Sequence, residues 1–157
     1  CLENKMSGGK PLLNILDKAF AGIQRTGLQG SCTICLSMLF PSGKLHVLNL
    51  GDSGLRVVRN GQVVFASTEQ QVCFNTPRQL GGGSGDIPAY GDYNIIPVQK
   101  GDIYLIASDG AWDNLWQHEW LKIVQDFEGS GRGQRMDKLA TRLCEEAHKH
   151  GADVNYE

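Results

Sequence analysis

Ile103-Tyr104-Leu105-Ile106-Ala107-Ser108-Asp109-Gly110-Ala111-Trp112-Asp113-Asn114-Leu115 is the stretch around which the chain is organised. Four of its first five residues are aliphatic, which predicts a buried strand running into Ser-Asp-Gly. The strand delivers the Asp109 carboxylate to its open end, and Gly110 lets the backbone turn sharply there. If the chain then coils helically, Asp113 falls on the same face as Asp109, four residues on. Two oxygen ligands fixed to a strand end suit Mg²⁺ or Mn²⁺. The same letters also spell a strand, an Asp-Gly turn and a solvated helix start, and spacing leaves both readings open.

Working outward, residues 93–98 read as another strand, with Lys100-Gly101 as the turn before residues 103–107. Upstream, residues 31–40, 45–50, 55–59 and 62–66 are rich in strand formers. They are separated by Pro41-Ser42-Gly43-Lys44, Gly51-Asp52-Ser53-Gly54 and Asn60-Gly61, the last a strong hairpin signal. These four strands read as an antiparallel meander. Residues 67–92 lose all periodicity and read as one long connection, of the kind that is usually functional.

Helical spacing occupies both flanks. Leu12, Leu16, Ala19, Phe20, Ile23 and Leu28 predict a helix that starts at Pro11 and stops at Gly27. Trp116, Trp120, Ile123 and Val124 predict a second, ending near Glu128-Gly129-Ser130-Gly131. Met136, Leu139, Ala140, Leu143, Cys144 and Ala147 predict a third, ending by Gly151. Strands in one block and helices around them make an α+β chain. Residues 1–10 are polar and glycine-containing and read as a linker or frayed start.

Composition narrows the function classes. With 157 residues, 41% hydrophobic and 20% charged, the chain reads as a single soluble globular domain over residues 1–157, without a membrane span. A net charge of −2, with scattered Lys and Arg, gives no reason to expect nucleic acid as a partner. Five cysteines at irregular spacing argue for a reducing compartment. Cys32 and Cys35 form a CxxC without a second pair, so the cysteines read as core residues. His118, Glu119, His148 and His150 read as solvated helix ends. The first residue is Cys and no targeting segment is visible, so a processed or partial chain is expected. Asp52 adds a third carboxylate at a strand end, close to the other two if their strands adjoin; bonding within its own turn explains it equally well.

Three blocks in order carry a resemblance. Gly30-Ser31-Cys32-Thr33, then Leu48-Asn49-Leu50-Gly51-Asp52-Ser53-Gly54, then Ala107 to Leu115 resemble successive motifs of type 2C metal-dependent Ser/Thr protein phosphatases. Glu69-Gln70-Gln71 with Phe74-Asn75-Thr76-Pro77-Arg78-Gln79-Leu80 resembles a loop of the mitochondrial and plastid branch. Gly54 stands where the wider family often has Arg.

The resemblance implies two antiparallel sheets packed as a sandwich flanked by helices, incomplete at both ends. It implies hydrolysis of phosphoserine or phosphothreonine by water held between two Mg²⁺ or Mn²⁺ ions, with a third ion possible and no protein nucleophile. Asp109 would be a direct ligand of the core pair, with the Gly110 backbone near the metal. Asp113 and Asp52, with Asp109, would make a weaker third site. The partner implied is a phosphoprotein substrate, and the location a mitochondrion or, alternatively, a plastid. The family's bridging Asp-Gly has no match in residues 1–29, its phosphate-binding arginine is missing, and its C-terminal ligand Asp would lie beyond Glu157. With several ligands lacking, two roles follow: the middle of a complete phosphatase, or a non-catalytic phosphatase-like subunit or scaffold. Exposed sheet edges would then need cover from the same protein or from partner subunits.

Overall fold

A computed structural model describes residues 10–130 and 135–153. The expected linker, apart from Lys10, lies outside these residues, as do Gly131 and residues 154–157. The chain forms two compact units, Cys1–Leu55 with Ser67–Lys100, and Arg56–Ala66 with Gly101–Glu157.

The first unit begins with helix α1 (Pro11–Thr26), which buries Leu12 and Leu16 and ends on Gly27 in the left-handed conformation. Pro11 has no N–H to satisfy, and Lys10 supplies no side-chain cap. The Tyr93 hydroxyl lies 2.7 Å from His46 Nδ1. Burial holds the Tyr93 phenol above its ordinary pKa, and the Leu12 N–H acts in the opposite direction.

Strands β1 (Gly30–Cys32), β2 (Ile34–Leu39) and β3 (Lys44–Leu50) follow. Later come β6 (Gln71–Cys73), β7 (Thr76–Pro77), β8 (Leu80–Gly82), a short 3-10 turn at Pro88–Tyr90 and β9 (Asp92–Pro97). The main sheet has the antiparallel order β2-β3-β9, with Leu48 opposite both Leu36 and Tyr93. The same unit holds two smaller antiparallel pairs, β1-β8 and β6-β7. The core gathers Leu12, Leu16, Leu48, Leu50 and Leu80. Val47, Leu48, Asn49 and Leu50 are all fully buried, so both faces of β3 are covered; burying one such leucine contributes roughly 1.5–3 kcal/mol.

Strand β4 (Gly54–Arg59) starts in the first unit and runs into the second, where it is followed by β5 (Gln62–Ala66). Asn60 and Gly61, with φ of 51° and 70°, close the β4-β5 hairpin in the conformation that the Asn-Gly pair favours. Strand β10 (Ile103–Ala107) completes a sheet of order β10-β4-β5. Helices α2 (Asp109–Trp112), α3 (Gln117–Gly129) and α4 (Met136–Gly151) follow. Val58, Ile103, Leu115, Trp120, Ile123, Val124, Leu139 and Ala147 form the core of this unit. Arg59 grips Asp102 through two 2.8 Å hydrogen bonds, which raise the guanidinium pKa above its ordinary value. A largely apolar groove of about 390 Å³ is lined by Tyr104, Leu105, Ile106, Met136, Ala140 and Leu143 among others.

Several expectations are corrected. The meander does not exist: β3 hydrogen-bonds to β2 and β9, while β4 pairs with β5 and β10. The strand expected over 31–40 divides at Thr33 into β1 and β2, which belong to different sheets. The long connection 67–92 holds β6, β7, β8 and the 3-10 turn. Trp116 caps α3 and is exposed, whereas Trp120, Ile123 and Val124 make the buried face. Cys32, Cys73 and Cys144 are exposed and Cys35 is half-buried, so they are not core residues.

Candidate functional site

Asp52 follows the buried end of β3. Gly51 has φ of +105°, and a Cβ there would lie 2.5 Å from the Thr33 methyl and 2.7 Å from the Arg78 carbonyl oxygen, so only glycine fits. The Gly51 carbonyl accepts from the backbone N–H of Gln70 at 2.9 Å and from Asn49 Nδ2 at 3.2 Å. Gln70 carries the clasp further: its Oε1 receives the Gly51 N–H, and its Nε2 donates to the Tyr90 carbonyl at 2.9 Å. Thr33 and Ser53 hydroxyls meet at 2.7 Å. Within this wiring Asp52 is 6% exposed, and its carboxylate has no hydrogen bond or ion pair among the described residues.

Asp109 and Asp113 stand in the second unit. Extended backbone at Ser108 ends β10, and α2 begins at Asp109. Asp109 Oδ1 accepts the Gly110 N–H at 2.7 Å, and the Asp109 carbonyl accepts the Asp113 N–H at 2.7 Å. The two carboxylates thus occupy one helical turn, as their spacing predicts, with Asp109 half-buried and Asp113 exposed. Trp112 anchors the turn: its Nε1 donates to the Ala107 carbonyl at 3.0 Å, and the Arg56 guanidinium stacks over its ring at 4.7 Å. Asn114 donates to the Gly110 carbonyl at 3.1 Å.

Among the described residues no group of three or more His, Cys, Asp or Glu side chains is gathered to hold a metal ion. The side chains of Asp52, Asp109 and Asp113 are all hard-oxygen donors, the kind that Mg²⁺ and Mn²⁺ prefer. His118 and His148 are exposed, as expected of helix ends. Glu119 instead accepts the Trp116 N–H at 2.8 Å as part of the α3 cap, and His150 is largely buried, with Nδ1 3.1 Å from the Asn114 carbonyl and Nε2 3.3 Å from Glu146.

Sequence reasoning missed Asn49. The signal was one polar residue in the otherwise apolar run Leu45-His46-Val47-Leu48-Asn49-Leu50, beside a turn that holds a candidate ligand.

The class of protein defined by this fold is α+β, with antiparallel sheets, flanking helices and carboxylates at strand ends. No family model matches the chain. It is 36% identical over 144 residues to probable protein phosphatase 2C 26 of Arabidopsis thaliana, covering 91% of this chain and 45% of that protein. It is 41% identical over 138 residues to the protein phosphatase PTC7 homolog of Xenopus laevis, covering 82% and 46%. The photosystem II phosphatase PBCP superposes with a TM-score of 0.79 at 30% identity, over 90% of this chain and 53% of that one. The catalytic domain of the serine threonine protein phosphatase PstP, solved with two manganese ions, shares the fold with a TM-score of 0.64 at 20% identity, over 87% and 61%. The homologues of this chain are type 2C protein phosphatases, and it has their fold over the part it spans. That part is about half the length of the relatives.

Proposed function

We propose that residues 1–157 form the central part of one protein serine/threonine phosphatase domain, acting on phosphoserine and phosphothreonine of a phosphoprotein. The observation that carries this reading is the motif Gly51-Asp52-Ser53-Gly54, shared in order with those around Gly30 and Asp109, with Asp52 on a turn whose Gly51 carbonyl is held by Gln70 and Asn49. Asp109 is assigned as a ligand of a core pair of Mg²⁺ or Mn²⁺ ions, with the Gly110 backbone beside it. Asp113 and Asp52, with Asp109, are assigned as oxygen ligands of a weaker third ion. Two such ions, when bound, acidify a water molecule and offset charge on the phosphoryl group. The chain's own contribution is positional: Trp112 and Asn114 fix the α2 turn that carries Asp109, and Gly51 and Gln70 fix the turn that carries Asp52.

Strand β10 ends its sheet and leaves Ile106 half exposed beside the apolar groove. Cover from the remainder of the polypeptide or from a partner subunit accounts for this edge. The branch resemblance of residues 69–80 supports a mitochondrial location. The plastid is the second reading, favoured by the match to a photosystem II phosphatase.

The test is Asp109→Asn in the full-length protein. Mn²⁺-dependent dephosphorylation of a phosphopeptide should be abolished. Unchanged activity would refute the metal role, and a wild-type protein that neither binds Mn²⁺ nor hydrolyses the peptide would establish a non-catalytic, scaffold-like role.

A further inference from the structure

We propose that Asn49 is a positioning residue that aims the Asp52 carboxylate by stapling two backbone segments together from inside the sheet. This rests on the reading of Asp52 as a metal ligand.

Asn49 lies on β3, opposite Cys35 of β2 and Asp92 of β9, and is fully buried. Its Nδ2 donates to the Gly51 carbonyl at 3.2 Å and to the Thr68 carbonyl at 3.1 Å. Both side-chain protons are therefore used, one on the residue before Asp52 and one on the segment that runs into Gln70. Gln70 then returns to the same Gly51 carbonyl through its backbone N–H. The Gly51-Asp52 peptide is thus held from within the sheet by Asn49 and from the loop by Gln70.

The acceptor side of the same amide points to a role beyond stability. Asn49 Oδ1 is buried and has no hydrogen-bond partner among the described residues. A buried polar atom without a partner is costly, and an apolar residue of similar shape in the middle of β3 would avoid that cost. Val47, on the same face of β3, is apolar and fully buried, so that face already takes an apolar side chain. What an apolar residue cannot do is donate to two carbonyls that converge from different parts of the chain. Asn49 is consistent with fixing the direction of a neighbouring side chain, at the expense of packing energy.

The experiment uses the full-length protein and Mn²⁺ alone as the probe. Binding is followed by the loss of the free-ion electron paramagnetic resonance signal, with thermal melting of the metal-free protein in parallel. Asn49→Leu keeps the shape, removes both donors and removes the unpaired oxygen. Its affinity for Mn²⁺ at the site that Asp52→Asn perturbs should fall about tenfold, the lower end of the range for outer-shell changes, while the melting temperature holds or rises. If Asn49→Leu does not fold, Asn49→Ser replaces it, because the hydroxyl retains one donor, and a several-fold loss is expected. Wild-type Mn²⁺ affinity in a folded Asn49 variant, with Asp52→Asn impaired, would overturn the proposal and leave the metal reading standing. A melting temperature that drops with unchanged affinity would also overturn it, as the mark of a purely structural residue. Wild-type affinity in Asp52→Asn would overturn the metal reading itself.

Discussion

The two turns that carry the candidate ligands are built in opposite ways. The Gly51-Asp52 turn is enclosed: its glycine has no room for a methyl group, its carbonyl takes two hydrogen bonds, and its carboxylate is buried. The Ser108-Asp109 turn is open: Gly110 has only the Ser108 hydroxyl within 4 Å of a would-be Cβ, at 3.5 Å, and Asp113 is exposed. One carboxylate is oriented by protein that has already been desolvated, whereas the other pair sits on a single helical turn that water can reach. Preorganisation is thus concentrated at Asp52, and adaptability at Asp109 and Asp113.

The pair of glycines breaks or upholds this contrast most sharply. Gly51→Ala should destabilise the protein by about 3–5 kcal/mol, strain and overpacking together. Gly110→Ala, in helical backbone with space around it, should stabilise by about 0.5–1 kcal/mol. Chemical denaturation of the two variants checks both values, and similar effects would end the comparison.

The carboxylates give the next largest difference. In metal-free protein, Asp52→Asn removes a charge from a residue only 6% exposed and should raise stability by about 1 kcal/mol. Asp109→Asn, half-exposed, should stay within about 0.5 kcal/mol of wild type. Calorimetric melting in chelator distinguishes them.

The smallest effect sharpens how far the wiring of the first unit extends. Tyr93 has a raised folded-state pKa, so its contribution is fully present below the unfolded value near 10 and is lost as pH rises through the folded value. Melting temperature should therefore fall in that alkaline window. Tyr93→Phe should remove the slope and cost about 1 kcal/mol at neutral pH, through the loss of the link to His46.

Local chemistry was legible in the sequence. The helix at Pro11–Thr26, its stop at Gly27 and the Asn60-Gly61 hairpin all follow from what those residues do to their own backbone. The α+β class and the one-face spacing of Asp109 and Asp113 were equally accessible. Strand partners were not, because Asn49 finds Asp92 across 43 positions and nothing in the Gly51-Asp52-Ser53-Gly54 turn says that β4 leaves the sheet of β3. Turn residues announce a change of direction but do not specify the next neighbour. The role of Asn49 was hidden for the same reason, since one of its two acceptors, Thr68, is brought to it only by the folded loop.

The strand order β10-β4-β5 has a consequence for synthesis on the ribosome. Ile103, the first residue of β10, follows Ala66, the last of β5, by 37 positions. At about 5–20 residues per second, the β4-β5 hairpin waits about 2–7 s for its third strand to be translated. During that interval Val57 and Val58, fully buried in the finished protein, stand on an incomplete ribbon, with apolar surface still to be covered.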